Sequence, residues 1–180
     1  MLRKYNIALV PTSKNEEIIH CAEYFLKISD QYQLGKNSLP HVTLCHFQVN
    51  ENEIAHLWER ACEALDKHVL ELNFMDFSCI TFDNKIHWVS LMPDQRSLLD
   101  TMHQTVSKIV NKPANQNYDP HMTLMSTQDT NYKLMADELI KSYATISDHF
   151  VLALGERDEV GQLTKILYQC ERENKYSYHI

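Results

Sequence analysis

Pro40-His41-Val42-Thr43-Leu44 recurs eighty residues further on as Pro120-His121-Met122-Thr123-Leu124. On an extended strand alternate side chains share a face, so in each copy the His and the Thr point the same way. A lone His-x-Ser/Thr triplet is expected by chance roughly once in a chain with 10 histidines. The full string is expected in fewer than about one chain per hundred of this size. Two copies, separated by nearly half the chain, point to a duplicated strand unit that brings two imidazoles and two hydroxyls to one site.

Working outward from the motifs, Lys4 to Thr12 is a short apolar run and reads as the first strand. Ser13-Lys14-Asn15-Glu16 has the spacing of a capping box, followed by a helical face of Ile18, Ala22, Phe25 and Leu26. Gln31 to Leu39 carries Gly35, Asn37 and Ser38 and reads as loop. Leu39 to Phe47 is the first motif strand. Asn50 and Glu53 then open a helix whose apolar face is Ile54, Leu57, Trp58, Ala61 and Leu65. Val69 to Phe82 and Lys85 to Met92, divided by Asp83-Asn84, predict a hairpin. Pro93-Asp94 begins a third helix with Leu98, Leu99, Met102, Val106, Ile109 and Val110 on one face. Asn111 to Asp119 is loop, His121 to Ser126 is the second motif strand, and Tyr132, Ala136, Leu139, Ile140 and Tyr143 predict a fourth helix. Phe150 to Leu154 and Leu163 to Cys170 form a last hairpin around Glu159-Val160-Gly161-Gln162. The tail from Glu171 to Ile180 is polar and unassigned. Motif strand, helix and hairpin occur twice in that order, which predicts an antiparallel α+β fold.

Composition narrows the function classes. The chain has 180 residues, 44% of them hydrophobic and 23% charged, as in ordinary globular proteins. No apolar run approaches the roughly 20 residues of a membrane span, and Ile7 to Val10 is too short for a signal peptide. Cys21, Cys45, Cys62, Cys79 and Cys170 are scattered and odd in number, which argues against a disulfide framework or a thiolate zinc site and for a reducing cytoplasm. A net charge of −7 disfavours long duplex nucleic acid but not a small anion held by local donors. With 3 glycines and no glycine-rich loop, a phosphate-cradling loop is absent.

Alternation places His41, Thr43, Cys45 and Phe47 on one face of the first motif strand, opposite Val42, Leu44 and His46. His121, Thr123 and Met125 likewise oppose Met122 and Leu124. Imidazole titrates near neutrality, so one His can accept a proton while the other donates one. Hydroxyls suit the non-bridging oxygens of a phosphate and the charge that grows in its transition state. A companion Thr is a poor metal donor, and no carboxylate repeats with the pair. His46 and His87 are expected to be structural or exposed. Cys45, Phe47, Trp88, Tyr118 and Met125 are candidates for lining the cleft or stacking on a base.

The two His-x-Thr-hydrophobic motifs, their spacing and the strand order resemble the two-histidine (2H) phosphoesterase superfamily, which includes bacterial 2′-5′ RNA ligase-like proteins and cyclic nucleotide phosphodiesterases. The resemblance covers the opening strand Tyr5 to Pro11, both motifs, the hairpin Cys79 to Met92 and the closing hairpin. It implies a single domain over residues 1–180, built as two pseudo-symmetric lobes around a central cleft. Each lobe would be an antiparallel sheet with helices on its outer face. It further implies that His41 and His121 are the acid/base pair and that Thr43 and Thr123 bind phosphate, with no cofactor and no metal. The implied reaction is hydrolysis of a 2′,3′-cyclic phosphate, or of a 2′-5′ linkage, in a small nucleotide or RNA end, the cyclic ester leaving a 2′-phosphate. A monomer acting in the cytoplasm, away from membranes, is expected. The near-equivalence of the motifs does not rank them as acid and base. The alternative is a non-catalytic module that uses the same cleft to bind a nucleotide or RNA end.

Overall fold

From Tyr5 to Pro11 every side chain of the first strand is buried, as a strand covered on both faces requires. This strand, β1 (Leu2–Pro11), pairs with β3 (Val42–Asn50) on one side and β7 (Ile146–Arg157) on the other. The computed structural model describes residues 1–65, 70–83 and 85–171. Its remaining elements are α1 (Asn15–Glu23), β2 (Tyr32–Gln33), a short 3-10 turn (Glu51–Glu53), α2 (Ile54–Leu65), β4 (Leu70–Phe82), β5 (Ile86–Pro93), α3 (Arg96–Ile109), β6 (Met122–Thr127), α4 (Tyr132–Ser142) and β8 (Leu163–Gln169).

The α+β expectation holds. All pairings are antiparallel, in the order β2-β6-β5-β4-β7-β1-β3, with β8 also on β7. The two halves meet where Leu70 to Phe74 of β4 pair with Ile146 to Phe150 of β7. Beyond that seam β4 turns to β5 and β7 turns to β1, giving two similar three-strand groups, each ending at a motif strand. The motif strands lie five places apart in this order. In a flat sheet that is roughly 24 Å, so the sheet must curl for their side chains to reach one cavity. Helices exchange between the halves: α1 packs behind the second motif strand and α3 behind the first. Ile18, Phe25, Leu44, Leu91, Leu99 and Leu124 are all buried in one continuous core. Each such side chain contributes roughly 1.5–3 kcal/mol through burial.

Several sequence expectations are corrected here. The Ser13–Glu16 capping box does not form. The Ser13 and Lys14 amides donate instead to the Asp148 carboxylate of β7, at 2.9 and 2.8 Å, so a distant strand caps α1. Leu26 lies past the helix end and is exposed. The segment 31–39 contains β2, which extends the sheet beyond β6. Leu98, in the first turn of α3, is exposed, and α3 begins later than expected, at Arg96 after a left-handed Gln95. β7 begins at Ile146 rather than Phe150, since it must also pair with β4. Val69, Asn84 and the tail from residue 172 onward lie outside the described residues.

Candidate active site

Both motif strands break their alternation at the same residue. On β3, Cys45 pairs with Ile7 and Thr43 with Ala8, leaving Leu44 as an extra residue. On β6, Met125 pairs with Val89 and Thr123 with Ser90, leaving Leu124 extra. A bulge of this kind reverses the phase of the strand beyond it. Leu44 and Cys45 both turn into the core, as do Leu124 and Met125. His46 therefore swings to the side of Thr43 rather than away from it.

The first bulge is braced from α3 and the loop beyond it. The Tyr118 hydroxyl donates to the Thr43 carbonyl at 2.7 Å, and His103 Nδ1 donates to the Leu44 carbonyl at 2.6 Å. The two rings stack at 4.2 Å with an 8° interplanar angle, and His103 Nε2 accepts from the Asn115 amide at 2.9 Å. These bonds satisfy carbonyls that the irregular ladder would otherwise leave to the interior.

His41, Thr43, His121 and Thr123 line one cavity of about 530 Å³, together with Trp88 and Tyr118. Each motif histidine is anchored in the same way. His41 Nδ1 donates to the Leu39 carbonyl at 2.7 Å, and His121 Nδ1 donates to the Asp119 carbonyl at 2.7 Å. Both anchors lie two residues upstream, so the proline-preceded approach to each strand holds the ring and leaves Nε2 to meet a ligand. Asp119 is itself tied to Arg96.

The surroundings of the two copies differ. His41 is buried, with 5% of its surface exposed, whereas His121 is exposed. Burial pushes the His41 imidazole down to about 4, against the pull of the Leu39 carbonyl; the neighbouring His121 pushes in the same direction. Thr43 Oγ1 accepts from Asn6 Nδ2 at 3.0 Å and lies 3.5 Å from His46 Nε2. His46 is likewise held down to about 4, mainly by burial and then by Arg157. Its ring rests on Gly161, where φ is +95° and an added Cβ would come within 2.5 Å of His46 Cε1. Only glycine suits that turn and that approach.

Trp88 and Tyr118 thus lie in the cleft as expected, and three of the other candidates do not. Cys45 is buried against Ser107 at 3.8 Å, and burial raises its thiol pKa. Phe47 packs on Tyr5 with ring centroids 5.8 Å apart, and Met125 is fully buried. All three lie beyond a bulge, which turned them inward. His46, expected to be structural or exposed, lines the cavity for the same reason. Its signal was in the sequence: Thr-Leu-Cys-His and Thr-Leu-Met-Ser each put two apolar residues in succession between polar ones, a change of phase. Gln162, on the turn before β8, also lines the cavity, and its buried Oε1 has no partner among the described residues. Among the described residues no group of three or more His, Cys, Asp or Glu is arranged to hold a metal ion.

A family model described as the 2′-5′ RNA ligase superfamily matches residues 16–158. A comparison with curated proteins found no match. Solved structures share the fold. A phosphoesterase aligns with a TM-score of 0.58 at 11% identity, over 94% of this chain and 98% of its own. Escherichia coli LigT complexed with 3′-AMP gives 0.56 at 13% identity, over 95% and 97% of the two chains. Kluyveromyces marxianus Usb1 with uridine monophosphate gives 0.51 at 12% identity, over 92% and 96%.

Proposed function

The chain belongs to the 2′-5′ RNA ligase superfamily, the 2H phosphoesterases, and from that premise we propose that it hydrolyses a 2′,3′-cyclic phosphate. One observation carries the reading: two His-x-Thr pairs face a single cavity, each His tethered through Nδ1 to a backbone carbonyl. The structures of LigT with 3′-AMP and Usb1 with uridine monophosphate support a nucleotide as the ligand class.

The asymmetry of the two histidines supports a different role for each. Burial keeps His41 unprotonated at neutral pH, so its Nε2 accepts the proton of the attacking water. His121, exposed at the cleft, is the group that donates a proton to the departing ribose oxygen. The new P–O bond forms from water as the 3′ ester bond breaks, leaving a 2′-phosphate and a 3′-hydroxyl. Thr43 and Thr123 donate to the non-bridging oxygens, where charge grows in the transition state. Asn6 occupies one lone pair of Thr43 Oγ1 and turns the Thr43 proton toward the phosphate.

The test is turnover of a panel of 2′,3′-cyclic nucleotides and 2′-5′ dinucleotides with and without EDTA. Hydrolysis of the cyclic esters that survives chelation supports the reading. Nucleotide binding with no turnover of any member would favour the binding module.

A further inference from the structure

The cavity wall contributed by the second half is ordered by polarity. On β4 the cleft-facing residues alternate as Ser78, Ile80 and Phe82; on β5 they alternate as Trp88, Ser90 and Met92. Pairing sets these into rows across the sheet. Thr123, Ser90 and Ser78 stand side by side, and the next row toward the hairpin tip holds Ile80 and Trp88. Phe82 closes the tip. On the facing side Val160 projects from the turn before β8. Ile80, Phe82 and Val160 are 42%, 57% and 58% exposed, an unusual outlay of apolar surface beside a polar floor.

Charge follows the same gradient. Among the described residues the lining includes no Lys or Arg, and its one carboxylate is Asp119. Lys85 is exposed at the hairpin tip outside the lining, and three more cations on adjacent segments are held around the polar floor. Lys112 Nζ donates to the His46 carbonyl at 2.7 Å, Arg157 Nη1 donates to the Asp158 carbonyl at 3.1 Å, and Arg96 is tied to Asp119. The polar row with its histidines can meet one phosphate. Toward the mouth, a second anion would meet an apolar lining that holds no cation among the described residues.

We infer that the site selects a phosphodiester whose remainder is uncharged: a nucleoside 2′,3′-cyclic phosphate with a free 5′-hydroxyl, in preference to a 5′-phosphorylated nucleotide or an RNA end. The inference rests on the cyclic-phosphodiesterase reading for its reaction but not for its charge selection. The base lies along the Ile80–Trp88 row and the ribose 5′ side faces the apolar mouth.

Two measurements keep the two readings apart. In turnover, adenosine 2′,3′-cyclic phosphate should exceed both its 5′-phosphorylated form and a trinucleotide ending in the cyclic phosphate by at least about tenfold in kcat/KM. In binding, adenosine 2′-phosphate should compete at least about tenfold better than adenosine 2′,5′-bisphosphate. Phe82→Lys, at an exposed position, should narrow both ratios several-fold by placing a cation in the lining itself. If nothing turns over but the binding ratio stands, the hydrolase reading fails and charge selection survives. Equal or better use of the 5′-phosphorylated compounds or the trinucleotide, no binding of either adenosine phosphate, or ratios unmoved by Phe82→Lys would overturn the inference.

Discussion

The two copies of Pro-His-x-Thr-Leu share their anchor, their bulge and their cavity, yet they sit in different solvents. The first lies under the turn before β8, with His41 buried, Thr43 held by Asn6, and a further histidine beside it. The second opens to water, beside a hairpin whose cleft face grows more apolar toward its tip. Duplication supplies matched chemistry; burial then divides it. On the proposed mechanism, burial fits His41 to be the base and leaves the acid's role to His121.

Removal of either ring should have the largest effect. His41→Ala and His121→Ala should each lower kcat by at least about 10²-fold, measured by product release from a 2′,3′-cyclic nucleotide. Full activity in both variants would end the acid/base account. Removal of the hydroxyls separates their contribution from that of the rings. Thr43→Val and Thr123→Val should each lower kcat by roughly 10²-fold. Asn6→Ala should have a smaller effect, because it releases the Thr43 hydroxyl without deleting it. It should add little on top of Thr43→Val, whereas added to Thr123→Val it should multiply. A thermal melt checks that each variant is folded.

A smaller effect lies in stability. His41 and His46 both titrate near pH 4 in the folded protein, against 6.5 for a free side chain. Between those values the unfolded chain binds protons that the native state refuses, so stability falls as pH drops from about 6.5 toward about 4. The melting temperature should decline through this window. His46→Gln, which keeps a polar side chain but cannot titrate, should flatten part of the decline, by on the order of 1 kcal/mol. An unchanged slope would show that His46 is not held neutral.

Much of the site was legible from the motif pair itself, because two strong local patterns needed only strand periodicity to become geometry. Tyr118 was legible from its nearness to the second motif, and Trp88 from its place on the central hairpin. Cys45, Phe47 and Met125 were misplaced because alternation was carried through a bulge, and one extra residue turns every later side chain over. Leu44 fits the core on either side of such a break, so its identity alone gives no warning. The Asp148 cap on α1 was invisible for another reason: it joins residues more than a hundred positions apart, and no local rule reaches that far. The helices α2 and α3 were read from their 3.6-residue faces, where local and tertiary demands agree.

The division of labour between the copies is tested most directly by the pH dependence of kcat/KM in wild type and in the two histidine variants. Wild type should give a bell whose acid limb falls toward pH 4, where His41 takes up its proton. The residual activity of His41→Ala should lose that acid limb and keep the alkaline one, and His121→Ala should do the reverse. An acid limb that persists in His41→Ala and vanishes in His121→Ala would contradict the assignment.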